Sequence, residues 1–300
     1  MMWNNLIHTI VCLVLIGLGI VGNISIFTGH IYTFLMGPEK KPIDIILTHL
    51  AFSNMVIICA AVVRDTAIIL YFKNFLTDAG CKIVFFLGRM ARGLSICTTC
   101  LLSMVQAVTI NPRMTLWRKL KPQTAGQVLP YVLFFWIFNS LISSSMLYYT
   151  TAVSVTNITI LNMYHRYCYM LPPDQIVRWL FLLLMALRDV IFQSLMGWSS
   201  ASMALHLFKH HKRVLYLQSS KYANNSSREI RATQSTLTLM TCFLSFYWVD
   251  FIFSFYMGSM ITHDFTIVVI KTFLQFGYAV LSPFVLISRD AHVVKYWSTK

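Results

Sequence analysis

Seven long apolar stretches constrain the fold of this chain more than any other feature of its sequence. A helix that crosses a membrane needs about 20 mostly apolar residues. The stretches that reach this length cover roughly residues 6–34, 43–70, 82–110, 127–150, 176–208, 231–258 and 266–287. Of the 300 residues, 57% are hydrophobic and 11% are charged, which is more apolar surface than a soluble domain could bury. We therefore predict an all-α membrane protein, with a single seven-transmembrane helix bundle covering residues 1–300.

The basic residues are distributed unevenly between the two sides of this bundle. Fifteen lysines and arginines fall in loops 36–42, 111–126 and 209–231 and in the tail, whereas four fall on the opposite side. The positive-inside rule then predicts an extracellular N-terminus and a cytoplasmic C-terminus. Basic loops at membrane ends can also bind anionic lipid headgroups. Because the basic residues are split among short loops, the charge does not favour a nucleic-acid partner.

Two cysteines and one glycosylation motif fall on the predicted outer side. Cys81 begins the third span and Cys168 lies in loop 151–175. Both face the oxidising compartment, so we expect them to form a disulfide, with free thiols as the alternative. The sequon at Asn157 lies in the same loop and should be glycosylated, whereas the overlapping sequons at Asn224 and Asn225 lie on the inner side and should stay unmodified.

Ionisable side chains inside the predicted spans are costly in a bilayer, so they indicate function. They are Arg64, Asp65, Arg89, Arg92, Arg188, Asp189, Asp250 and Lys271. At about 1.5 Å of rise per residue, Arg89 and Arg92 lie roughly 12 and 17 Å below Cys81, in the outer half of the third span. Their spacing of three residues places both on one helical face. These positions predict a polar cavity that opens to the outside between the third, fifth, sixth and seventh helices.

The charged residues allow two interpretations. In the first, Arg89 or Arg92 pairs with Asp189 or Asp250 and only holds helices together. In the second, these four residues and Lys271 contact a ligand. Five cations against three anions leave positive charge in excess, which favours an anionic ligand, because arginine forms forked contacts with carboxylate or sulfate.

Several short motifs resemble rhodopsin-like G-protein-coupled receptors in altered form. Asn23 follows a glycine in the first span, and Cys81 heads the third. Asn54 stands where that group has an aspartate, which puts its usual sodium site in doubt. The sequence Gln-Ala-Val-Thr-Ile-Asn-Pro over 106–112 replaces the acidic-arginine pair at the end of the third helix, and Ser-Pro-Phe-Val-Leu-Ile over 282–287 replaces Asn-Pro-x-x-Tyr.

In these altered motifs the chain resembles the vomeronasal type-1 receptors. The resemblance runs from the first helix to the tail, and its motifs are residues 93–103, 106–112, 210–216, 229–234 and 282–287. Members of that family detect small pheromones in the vomeronasal organ and signal through an inhibitory-type G protein. The Asn157 sequon and the bridge between Cys81 and Cys168 would then be family features as well.

The resemblance implies a multi-pass receptor in the plasma membrane of vomeronasal sensory neurons. Its partners would be a small-molecule pheromone, a heterotrimeric G protein and membrane lipids. The residues expected to face the G protein are Arg113, His211, Lys212, Arg213 and Arg231.

Two other protein classes remain open at this point. Bitter-taste receptors also lack several rhodopsin-like signatures, although Ser282 and Pro283 favour the vomeronasal interpretation. A channel or transporter would need polar residues through the inner half of the bundle, whereas here they concentrate in the outer half. The sequence contains no HExxH or GxSxG motif, so it predicts neither an enzyme nor a bound cofactor.

Overall fold

The computed structural model describes ten parts of the chain, most of them helical. They are residues 2–37, 40–69, 77–110, 122, 124–152, 168–170, 175–217, 237–250, 252 and 265–287. The helices are α1 (Met2–Met36), α2 (Pro42–Ile69), α3 (Asp78–Ile110), α4 (Ala125–Ser143), α5 (Ser145–Tyr149), α6 (Gln175–Leu217), α7 (Leu237–Asp250) and α8 (Phe265–Ile287). Two short strands, β1 (Thr150–Ala152) and β2 (Cys168–Met170), complete the described elements.

Five of the described helical segments are long and apolar enough to cross a membrane. They are Leu13–Met36, Pro42–Val63, Asp78–Ile110, Ala125–Tyr149 and Trp179–His206. The segments Leu237–Asp250 and Gly277–Ile287 are apolar but shorter. The prediction of a helical membrane protein is therefore confirmed, while seven spans and the orientation of the termini stay predictions.

Helix α3 is the central helix of the described bundle. It packs against α2, α4 and α6, and 72% of its membrane-length segment is buried, against 11% for α6. Its side chain Ile96 joins Leu50 of α2, Met196 of α6 and Phe243 of α7 in the main apolar core. A residue on α3 is therefore within reach of most other helices, whereas most of α6 faces outward.

Polar side chains also join the helices in the interior of the bundle. The amide of Asn54 on α2 donates to Ser282 on α8 at 2.9 Å, and its oxygen accepts from Ser95 on α3 at 3.1 Å. Asn23 on α1 donates to the backbone oxygen of Ala279 at 2.9 Å. In lipid such bonds hold helices together, because apolar side chains gain little by leaving hydrocarbon. Asn54, which the sequence shows in place of an aspartate, therefore links three helices.

Two helix boundaries differ from the sequence prediction. The predicted span 127–150 is divided at Ser144, whose hydroxyl donates to the backbone oxygen of Leu141 at 2.7 Å. Serine side chains that bond their own backbone compete with the helix in this way. The predicted span 176–208 is part of a longer helix, since α6 continues to Leu217. Residues 209–217, predicted as loop, contain no glycine or proline that would end it.

A two-stranded hairpin lies at one end of the bundle. Strands β1 and β2 are antiparallel, with Ala152 opposite Cys168. A disulfide joins Cys168 to Cys81 in the first turn of α3, with the two Cα atoms 5.8 Å apart. We call this end, predicted to face outside, the hairpin end. Asn157 lies between the strands and outside the described residues.

Candidate functional site

Five charged side chains from three helices form a partly buried group toward the hairpin end of the bundle. We call it the ionic cluster, and its members are Arg89, Arg92, Arg188, Asp189 and Asp250. Helix α3 contributes the first two residues, α6 the next two and α7 the last. Four of these five residues were predicted from the sequence as ligand contacts, and Arg188 was predicted only as an ionisable residue within the fifth span.

Arg92 and Asp250 form an ion pair between α3 and α7. The Nη2 atom of Arg92 lies 2.5 Å from Oδ2 of Asp250, and the carboxylate side chain is only 3% exposed. The guanidinium also lies 4.8 Å from the ring centre of Tyr247, one turn earlier on α7. That ring stacks on Phe243 at 4.2 Å and meets Tyr278 of α8 edge-on. The pairing interpretation therefore applies to Arg92, which contacts α7 through both a charge and an aromatic face.

Arg188 is fully enclosed and its guanidinium is bonded on two sides. Its Nε and Nη2 atoms lie 2.8 and 2.7 Å from Oδ1 of the neighbouring Asp189. Its Nη1 atom donates to Oδ1 of Asn139 on α4 at 3.1 Å. Asp189 thus pairs with the preceding residue on its own helix. The sequence had suggested Arg89 or Arg92 as its partner, and the structure pairs it with neither.

Asn139 and Gly93 are site residues that the sequence analysis missed. Asn139 also donates to the backbone oxygen of Phe135 at 2.8 Å. A Cβ atom added at Gly93 would overlap both the Asn139 amide and the Arg188 guanidinium, so this glycine allows α3 and α4 to approach around Arg188. A search of the spans for uncharged amides, as well as for ionisable groups, would have found Asn139.

Arg89 has no carboxylate partner among the described residues. Its Nη1 atom donates to the Ser145 hydroxyl at 3.4 Å, which is a long hydrogen bond, and its Nε atom is buried without a partner. The other oxygen of Asp250, Oδ1, is also buried and has no partner in the described part of the chain. Three arginines and two aspartates make up the ionic cluster. One positive charge therefore stays uncompensated within it.

The structure describes the remaining predicted site residues only in part. Arg113 and Arg231 lie outside the described residues, and only the helical backbone is described for Lys271, His211, Lys212 and Arg213. Among the aromatic side chains near the cluster's helices, Tyr247 is buried against Arg92, whereas Trp198 and Trp248 are 66% and 50% exposed.

The whole sequence is similar to one receptor family. It matches the model of the vomeronasal organ pheromone receptor family over residues 7–299. Vomeronasal type-1 receptor 4 of Homo sapiens is 33% identical over 279 residues, which cover 93% of this chain and 92% of that protein. Vomeronasal type-1 receptor 100 of Rattus norvegicus is 31% identical over 283 residues, covering 94% and 86%. Vomeronasal type-1 receptor 48 of Mus musculus is 32% identical over 279 residues, covering 93% and 92%.

The match confirms the resemblance that the third-helix and third-loop motifs carry, and it favours the vomeronasal over the bitter-taste interpretation. Proteins of this family are G-protein-coupled receptors of the membrane and not enzymes. This chain belongs to the vomeronasal type-1 receptor family.

Proposed function

We propose that this receptor binds a small organic pheromone at the ionic cluster and activates an inhibitory-type G protein at the opposite end. The observation that carries the proposal is a partly buried charged cluster toward the hairpin end of a chain from a pheromone-receptor family. One of its arginines, Arg89, has no carboxylate partner among the described residues. If these residues formed structural ion pairs alone, no arginine would be left without a carboxylate.

Arg89 is the primary candidate ligand contact in this proposal. Arg92, Asp189 and Asp250 already have charged partners, so they would shape the cavity and set its potential. Lys271 on α8 stays a proposed contact, because its position in the sequence places it in the outer half. An anionic ligand fits best, since a carboxylate or sulfate would neutralise the guanidinium that the described part of the chain leaves without a carboxylate.

The proposed G-protein surface lies at the inner ends of α3, α6 and α7. The continuation of α6 to Leu217 supports it, because a helix that extends beyond the bilayer presents its basic residues as a rigid surface. The residues proposed for this contact are Arg113, His211, Lys212, Arg213 and Arg231. Activation would be a population shift toward a bundle that binds both the ligand and the G protein better. The proposed location is the plasma membrane of vomeronasal sensory neurons, with anionic inner-leaflet lipids beside the same basic residues.

The test is a G-protein activation assay in cells that express the full chain, using a panel of small organic anions and neutral compounds of similar size. Arg89→Ala should weaken responses to anionic agonists by roughly tenfold or more, and responses to neutral agonists less. Lys82→Ala is the matched control, because Lys82 is partly exposed and pairs with Asp78 on its own helix at 2.8 Å. Equal losses for both compound classes would assign Arg89 a structural role.

Coupling is tested in the same cells with pertussis toxin, which inactivates inhibitory-type G proteins. Loss of the response after toxin treatment is expected. A response that persists would place the receptor with another class of G protein.

A further inference from the structure

Helix α6 continues past the segment that is long and apolar enough to cross a membrane. That segment ends at His206, whereas the helix ends at Leu217. We call residues 207–217 the inner extension, because they lie on the predicted inner side. At about 1.5 Å of rise per residue, the inner extension adds roughly 16 Å of helix beyond the membrane-length segment.

The inner extension carries positive charge only. The sequence has no acidic residue between Asp189 and Glu229, and the extension contains Lys209, Lys212 and Arg213. Lys209 is exposed. At about 100° of rotation per residue, these three helix positions fall within roughly 100° of the circumference. They form a basic stripe along the extension.

Apolar residues occupy a different part of the same circumference. Positions 207, 208, 214 and 215 fall within roughly 120°, on the side largely opposite the basic stripe. Leu207 and Val214 are seven residues apart, and so are Phe208 and Leu215. Phe208 is 58% exposed. An amphipathic helix with anchors at this spacing is suited to an apolar groove of a partner protein.

A basic amphipathic helix can bind either a membrane surface or a protein groove. A helix that binds the membrane surface lies in the plane of that surface. Helix α6, in contrast, is continuous from Gln175 to Leu217, and residues 198–217 contain no proline or glycine that would bend it. The inner extension therefore continues along the axis of a membrane-length segment, which favours a partner in the cytosol.

We propose that the inner extension binds a calcium-loaded EF-hand protein of the calmodulin type. Calcium opens an apolar groove in such sensor proteins, and this groove takes the helix face formed by positions 207, 208, 214 and 215. Acidic residues beside the groove complement the basic stripe. The inference goes beyond the proposed function. Because Lys212 and Arg213 belong to both proposed surfaces, the calcium sensor and the G protein would exclude each other.

The test uses the purified full-length chain in nanodiscs of neutral phosphatidylcholine, with fluorescently labelled calmodulin as the probe. Binding is titrated by fluorescence anisotropy in calcium and again in EGTA. We expect saturable binding in calcium and its loss in EGTA, because the groove closes without the ion. Loss of binding when phosphatidylserine replaces part of the neutral lipid would assign the extension to the membrane surface and overturn the inference.

Two double variants separate the apolar face from the basic stripe. Val214→Gln with Leu215→Gln removes two anchors without changing the charge, and should weaken binding by about tenfold or more. Lys212→Gln with Arg213→Gln keeps the anchors and removes two charges. This variant should weaken binding more at low salt than at high salt, because salt screens exposed charges.

Lys40→Gln with Lys41→Gln is the matched control. Both lysines are exposed on the same predicted side of the membrane, but they lie in the loop between α1 and α2, so binding should not change. A loss equal to that of the Lys212 and Arg213 variant would show a response to the charge of the inner face alone, and would overturn the inference.

The calcium comparison on the unsubstituted receptor decides even if a variant fails to reach the membrane. Equal binding in calcium and EGTA overturns the inference, and so does the absence of binding in calcium. The probe requires neither a pheromone nor a G protein, so each of these outcomes is distinct from a failure of the proposed signalling function, which is measured in its own assay.

Discussion

Arg92 and Asp250 are far apart in the sequence, yet their charged groups lie 2.5 Å from each other in the interior of the bundle. The pair joins the central helix α3 to the last described turn of α7. The ring of Tyr247, also on α7, lies over the guanidinium of Arg92. A buried charge is strongly destabilising when it loses its partner, whereas the intact pair gains little over apolar residues.

Arg92→Met alone should destabilise the receptor by about 3–5 kcal/mol, because it leaves the buried Asp250 carboxylate unpaired. Asp250→Leu alone should cost less, because the Arg92 side chain that it leaves unpaired is 24% exposed. The double variant should recover most of the loss. Surface display and thermal unfolding of the purified chain measure both. Lys82→Met is the control, since its partly exposed pair with Asp78 contributes at most about 1 kcal/mol. A double variant as unstable as the sum of the single ones would contradict the proposed coupling.

Gly93→Ala should lower the unfolding temperature, because the added methyl group would overlap the side chains of Asn139 and Arg188. Overpacking of this kind costs about 1–3 kcal/mol. Gly17→Ala is the matched control, since no described atom lies within 4 Å of a Cβ atom at that position. Equal unfolding temperatures for the two variants would show that α3 and α4 can move apart around Arg188.

Cys81→Ser and Cys168→Ser should each reduce surface display to a similar level, and the double variant should lose no more. Loss of a disulfide from a small domain costs about 2–5 kcal/mol, and here it would also release the hairpin from α3. Cys59→Ser should have no such effect, because Cys59 is an exposed free thiol. Flow cytometry of tagged receptors gives the measurement, and clearly different phenotypes for Cys81→Ser and Cys168→Ser would argue against a functional bridge.

Asn157→Gln should abolish the shift in gel mobility that an endoglycosidase produces, because this sequon lies on the predicted outer side. The double variant Asn224→Gln, Asn225→Gln is the matched control. It should keep the shift, since both of its overlapping sequons lie on the predicted inner side. A shift that survives Asn157→Gln and disappears with the double variant would reverse the predicted orientation.

The helices and their approximate positions could be predicted from the sequence, because a membrane-spanning helix forms all its backbone hydrogen bonds within one continuous apolar segment. The first three predicted spans, 6–34, 43–70 and 82–110, lie within a few residues of α1, α2 and α3. The helix ends were less predictable. Ser144 divides the fourth span through a local hydroxyl bond, and α6 continues beyond the apolar stretch because no residue there ends it.

The sequence identified only part of the candidate site. Arg89, Arg92, Asp189 and Asp250 stood out because ionised groups are costly in lipid, whatever surrounds them. Their partners could not be assigned, because the pairing depends on how the helices rotate and approach one another. Asn139 went unnoticed because it is a neutral amide, and its contact with Arg188 exists only once α4 and α6 are packed.

The sequence alone thus determined the fold class, a helical membrane protein, the receptor family and the charged residues that are candidates for the site. It could do so because hydropathy, motifs and charge are local properties of the chain. Tertiary structure decided that Asp250 pairs with Arg92, that Asp189 pairs with Arg188 and that Arg89 is left without a carboxylate among the described residues. These assignments arise from packing around α3, where residues distant in the chain compete for the same few partners in an interior that excludes water.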